Sequence, residues 1–95
     1  MKLYKIFDKV YRVDIRLMIG TADELEKYAR KYDDNYEDVP EASGRTFRFP
    51  HGGILIWLKK FDTIDPDDYG LLSHELVHAA SLVFDDRKMR YWVAY

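Results

Sequence analysis

Between residues 10 and 19 the chain reads VYRVDIRLMI, and its apolar and polar positions alternate. Tyr11, Val13, Ile15 and Leu17 fall on one side; Arg12, Asp14, Arg16 and Met18 fall on the other. This period of two predicts a strand with one buried face. The preceding LYKIF predicts a partner strand that turns through Asp8-Lys9, or else the beginning of one longer strand. Gly20 closes the segment, and from Thr21 the period becomes helical. Leu25, Tyr28, Ala29 and Tyr32 form one apolar stripe, and Thr21 with Glu24 fits a capping box. Asp23–Lys27 and Glu26–Arg30 are i,i+4 pairs in the favourable orientation. The polar face of this helix reads as a solvated charge ladder.

The acidic stretch DDNYEDVPEASG, residues 33–44, interrupts both periods and reads as a solvated connector rather than a binding element, although a long loop beside a site can act as a lid or docking surface. RTFRF and ILIWLKK then form two strands across Pro50-His51-Gly52-Gly53, where glycine supplies the positive φ of a hairpin turn. Ile54, Ile56 and Leu58 share one face, and Leu55 and Trp57 the other. A strand apolar on both sides is expected to be covered on both. Asp65-Pro66 starts a second helix, with Asp65 as N-cap and Pro66 in the first turn. Gly70 weakens that turn, so the regular helix is expected from near Leu71 to about Phe84. Leu72, Leu76, Ala79 and Val83 form its expected buried stripe. RKMRYWVAY reads as a last helical turn or two, with Tyr91, Trp92 and Tyr95 packing back. The expected class is α+β: a small antiparallel or mixed sheet of three to four strands against two main helices. Residues 1–95 are read as one domain.

Composition narrows the function classes. A net charge of −2 gives no general pull toward nucleic acid or anionic membrane, so neither is expected as a partner. With no cysteine, disulfides, thiolate metal sites and cysteine nucleophiles are excluded. Charges interrupt MKLYKIFDKVYRVDIRL throughout, unlike a secretory signal. No apolar run approaches the ~20 residues that span a bilayer. The expectation is a soluble cytoplasmic protein.

The segment that carries chemistry is LLSHELVHAASLVFDD. On a helix, His74 and His78 lie on one face about 6 Å apart at Cβ, so both imidazoles can reach one zinc ion. Glu75 stands one position round, placed to take a proton from metal-bound water and return it to a leaving group. The competing reading is two solvated histidines on an amphipathic helix. A catalytic zinc site needs a third protein ligand. The metzincin spacing HExxHxxGxxH puts its glycine on Ser81 and its third histidine on Phe84, so it does not fit. Asp85 is seven residues after His78 and near the same face, but about 10 Å further along a straight helix axis. It reaches the metal if the helix breaks after Phe84 and folds back. Asp86 and His51 are the other candidate donors.

IFDKVYRV, the ILIWL strand and LLSHELVHAASLVFDD together resemble small phage- and prophage-encoded HExxH proteins of the minimal zinc-metallopeptidase type. The resemblance implies a small sheet, a helix, a hairpin and an HExxH helix. It also implies His74 and His78 as zinc ligands and Glu75 as the catalytic residue. Such proteins carry an acid on a further helix before an aromatic-rich ending, whereas DDRKMRYWVAY has no acid after Asp86. Two functions are expected from these observations. One is a zinc-dependent metallopeptidase acting on a peptide or protein in the host cytoplasm. The other is a non-catalytic phage-encoded protein that binds and inhibits a host protein complex, as anti-CRISPR and other anti-defence proteins do. The acidic 33–41 segment and the abundant tyrosines motivate the second. A metal that merely stabilises the fold is a third possibility.

Overall fold

A computed structural model of the chain describes residues 1–10, 12–37, 42–49 and 52–86, without the side chains of Asp8, Phe84, Asp85 and Asp86. Six elements follow one another: β1 (Lys2–Asp8), β2 (Val13–Ile19), α1 (Ala22–Arg30), β3 (Gly44–Arg48), β4 (Ile54–Leu58) and α2 (Pro66–Asp86). The strands form one mixed sheet in the order β1-β2-β4-β3. β1 and β2 are antiparallel, β2 and β4 are parallel, and β3 returns antiparallel to β4. This is the expected α+β class, with the sheet packed against two helices.

β4 explains the layering. All five of its residues are buried, because its two faces serve two different cores. Leu55 and Trp57 point to α1 and pack with Met18, Leu25, Tyr28, Ala29 and Phe49. Ile54 and Ile56 point to α2 and pack with Val13, Ala79 and Val83. The helices therefore cover opposite faces. Trp57 also donates from its indole nitrogen to the Gly20 carbonyl at 3.0 Å, which ties β4 to the end of β2. Met18 on β2 is fully buried on the α1 side, so β2 is covered on both faces rather than one. Its α1 side holds polar residues because they are partnered. Arg16 bonds the Asp14 carboxylate and the Tyr28 hydroxyl. These contacts, the Tyr28 hydroxyl foremost, raise the guanidinium pKa. Burial raises the Tyr28 pKa, while the hydrogen bond with Arg16 lowers that of Tyr32.

Local signals set the element ends. Thr21 caps α1 in a capping box: its hydroxyl accepts from the Glu24 amide at 3.2 Å, and Glu24 accepts from the Thr21 amide at 2.9 Å. The bond from the Thr21 amide lowers the Glu24 carboxyl pKa. Replacing Thr21 with Ala is expected to cost about 1 kcal/mol of stability, read from denaturant unfolding. The Glu26–Arg30 pair forms at 3.0 Å. Gly52 adopts φ 99 in the β3–β4 turn, as a glycine there should. Pro50 and His51 of the same turn lie outside the described residues.

Three expectations are corrected. α2 is regular from Pro66, since Gly70 does not delay it: Asp65 receives the amides of Asp67 and Tyr69 and fixes the first turn. Leu76 is 49% exposed, and the buried stripe instead runs through Asp68, Glu75, Ala79 and Val83. The acidic connector is not merely solvated, because Tyr36 is buried against Phe47 and lies under the Arg45 guanidinium. The helical turn expected for 87–95 falls outside the described residues. No described helix is long and apolar enough to cross a membrane.

Candidate metal centre

α2 lies across β3 and β4 with Glu75, not Leu76, turned to the sheet. Gly44 permits the close approach at β3: a Cβ there would meet Leu71 Cδ1 at 3.2 Å and Leu58 Cδ2 at 3.3 Å. With Glu75 facing inward, the helix repeat places His74 and His78 on the exposed flank beside it. Their rings meet edge to face at 4.6 Å between centroids, and the two Nε2 atoms stand 3.0 Å apart. In a tetrahedral site with Zn–N bonds of about 2.0–2.1 Å, two nitrogens are about 3.3–3.4 Å apart. The pair stands a little closer than that bite, at the distance of a hydrogen bond. Without metal, one ring donates to the other, in a direction set by tautomer.

Glu75 is 5% exposed although it carries a carboxylate. The Thr46 hydroxyl donates to its Oε1 at 2.8 Å and stands 3.0 Å from the Glu75 carbonyl oxygen. An open pocket of about 370 Å³ lies over these groups, lined by Gly44, Thr46, Glu75, His78, Ser81 and Leu82. One motif histidine and the glutamate therefore share a cavity bounded by β3, the outer strand. Ser81 sits at the position where metzincins have glycine, and its hydroxyl is spent on the Val77 carbonyl at 3.1 Å.

The sequence-predicted donors divide clearly. His74 and His78 come together, and Glu75 shares a pocket with His78 but not with His74. α2 continues through Asp86, so its backbone does not break after Phe84 as Asp85 would require to fold back. The side chains of Asp85 and Asp86, and all of His51, lie outside the described residues. Among the described residues no group of three His, Asp or Glu side chains converges on a metal position. The donor set on view fits zinc as two neutral nitrogens with an adjacent carboxylate, and needs one more protein ligand.

Sequence reasoning missed Thr46. The only signal was a hydroxyl between Arg45 and Phe47 in RTFRF, on the opposite face of the strand from both. Asp68, in the first turn of α2, is buried and accepts the Asp62 amide at 2.8 Å, which closes the loop entering the helix. No protein-family model, no curated protein and no solved structure matches this chain.

Proposed function

We propose that this chain is a zinc-dependent hydrolase of the HExxH type, acting on peptide or protein substrates in the cytoplasm. The observation that carries the reading is the 3.0 Å approach of the His74 and His78 Nε2 atoms beside the buried Glu75 carboxylate. His74 and His78 hold the ion; α2 runs on through Asp86 and carries Asp85 and Asp86 along its axis away from them, so His51 is the remaining candidate for the third ligand. A zinc ion bound there supplies Lewis acidity to a scissile carbonyl and acidity to a bound water. Glu75 takes the proton of the attacking water at its carboxylate and delivers it to the departing amine nitrogen. The resemblance to phage-encoded HExxH proteins agrees with this assignment.

Metal analysis of the full 95-residue protein, purified without added zinc, tests the reading. About one zinc per chain is expected, to be lost in His51→Ala and kept in Asp85→Ala and Asp86→Ala. A folded protein that takes up no zinc, and whose melting is unmoved by it, would refute the proposal.

A second reading, a non-catalytic protein that binds a host complex, is favoured by one observation. Tyr4, Ile6 and Phe7 on the outer strand β1 are 49%, 62% and 60% exposed. Tyr28 and Tyr36, which helped to motivate that reading, are buried and offer no contact surface. Its anti-defence form predicts inhibition of a host complex that His74→Ala leaves intact.

A further inference from the structure

The Glu75 carboxylate is held in an unusual way. It is nearly buried, and a buried carboxylate is costly unless hydrogen bonds replace its water. A carboxylate has about four acceptor sites across its two oxygens. Among the described residues one side chain, Thr46, donates to it, and to Oε1 alone. A buried acid is satisfied by the protein or by water, and Oε2 is not among the sealed, unpartnered side-chain atoms of the described residues, so it reaches solvent. Here Oε2 is left for whatever enters the pocket that Glu75 lines.

Thr46 is well suited to hold one oxygen still. Strand alternation puts its side chain on the α2 face, opposite Phe47 on the α1 face. β-Branching stiffens its χ1, so the hydroxyl has few directions open to it. The same hydroxyl lies 3.0 Å from the Glu75 carbonyl oxygen, a second acceptor that competes for its one proton, so both of its alternatives hold it at Glu75. Strand β3 is itself fixed by its ladder to β4. The hydroxyl therefore registers Glu75 against the rigid sheet and not merely against its own helix.

We propose that Thr46 is a positioning residue for Glu75: its hydroxyl binds Oε1 and so turns Oε2 toward the substrate water in the pocket. The inference rests on the metal-hydrolase reading above. Its test uses the full chain as wild type, Thr46→Val, Thr46→Ser and Glu75→Gln. Each is loaded with Co²⁺ in place of zinc, because the visible cobalt spectrum reports the coordination of the metal and the ionisation of its bound water, which a carboxylate facing that water alters. Thr46→Val keeps the shape and removes the donor; Thr46→Ser keeps the donor.

The expected result has three parts. Thr46→Val shifts the cobalt spectrum in the same sense as Glu75→Gln, and Thr46→Ser does not. Adding Thr46→Val to Glu75→Gln shifts it no further. On a cleavable peptide, Thr46→Val lowers kcat by about tenfold to a hundredfold, with KM and metal affinity within about twofold of wild type, and Thr46→Ser recovers most of that loss. A cobalt-loaded Thr46→Val protein with the wild-type spectrum overturns the inference while leaving the hydrolase reading intact. So does an equal effect of Val and Ser, or a metal affinity that falls with kcat, either of which would mean a structural role. A wild-type protein that binds neither Co²⁺ nor Zn²⁺ overturns both proposals.

Discussion

Replacing Glu75 with Gln is expected to lower peptide hydrolysis by about 10²- to 10⁴-fold while zinc stays bound. The substitution is selective because of where Glu75 sits. Gln has nearly the same shape, so it fills the same buried slot between α2 and β3. Its amide oxygen still accepts the Thr46 hydroxyl that Oε1 now accepts at 2.8 Å. The histidines, one helical face away, keep their geometry. What disappears is the ability to take a proton. Removing a buried charge while keeping its hydrogen bond should leave stability unchanged or slightly higher. Hydrolysis of a mixed peptide library, followed with zinc content and thermal melting on the same samples, checks all three points. Cleavage at the wild-type rate in Glu75→Gln would remove Glu75 from its role as base. Loss of zinc together with activity would make Glu75 a structural support of the site.

Glu75 also shows why part of the molecule could be read from the sequence and part could not. Features that depend on neighbours along the chain were legible. The Thr21–Glu24 capping box needs only four consecutive residues, and it forms as the spacing requires. The two apolar faces of ILIWL belong to one short run, and both are covered. The His74–His78 convergence follows from a single helical turn. Misreadings arose where distant partners decide. A pattern argument puts leucine inside and charged residues outside, so the buried stripe was drawn through Leu76 and not Glu75. The inversion is stable because Thr46, 29 residues earlier in the chain, supplies a hydrogen bond inside the interface. Arg16 on the inner side of β2 is a second case, since its partner Tyr28 comes from α1. The strand order β1-β2-β4-β3 is a third, because it depends on a parallel pairing across α1 and β3. A rule broken at one buried acid beside two convergent histidines is what a functional site would produce.

Replacing either His74 or His78 with Ala is expected to reduce zinc affinity by at least about a hundredfold. Removing a group that only orients a ligand costs about 10–100-fold, and these nitrogens are proposed to bond the ion directly. The two substitutions should nevertheless differ. His78 lines the pocket with Glu75, whereas His74 does not, so His78→Ala also widens the cavity in which substrate would sit. Both histidines are exposed on the flank of α2, and their loss opens no void in either core. Folding should therefore be nearly unaffected in the metal-free protein, with each variant melting within about 0.5 kcal/mol of wild type. That separation gives the experiment its force. Chelator competition measures zinc, and unfolding in the presence of a chelator measures the fold alone. If zinc affinity collapses while metal-free stability holds, α2 carries a true metal centre on an independently stable scaffold. If hydrolysis collapses in step, the centre is catalytic. If zinc is lost and inhibition of a host complex persists, the motif is a relic on a binding protein, and the exposed apolar edge of β1 becomes the surface to map. If stability in the presence of zinc is all that falls, the ion serves the fold, and Glu75 is buried for packing rather than for proton transfer.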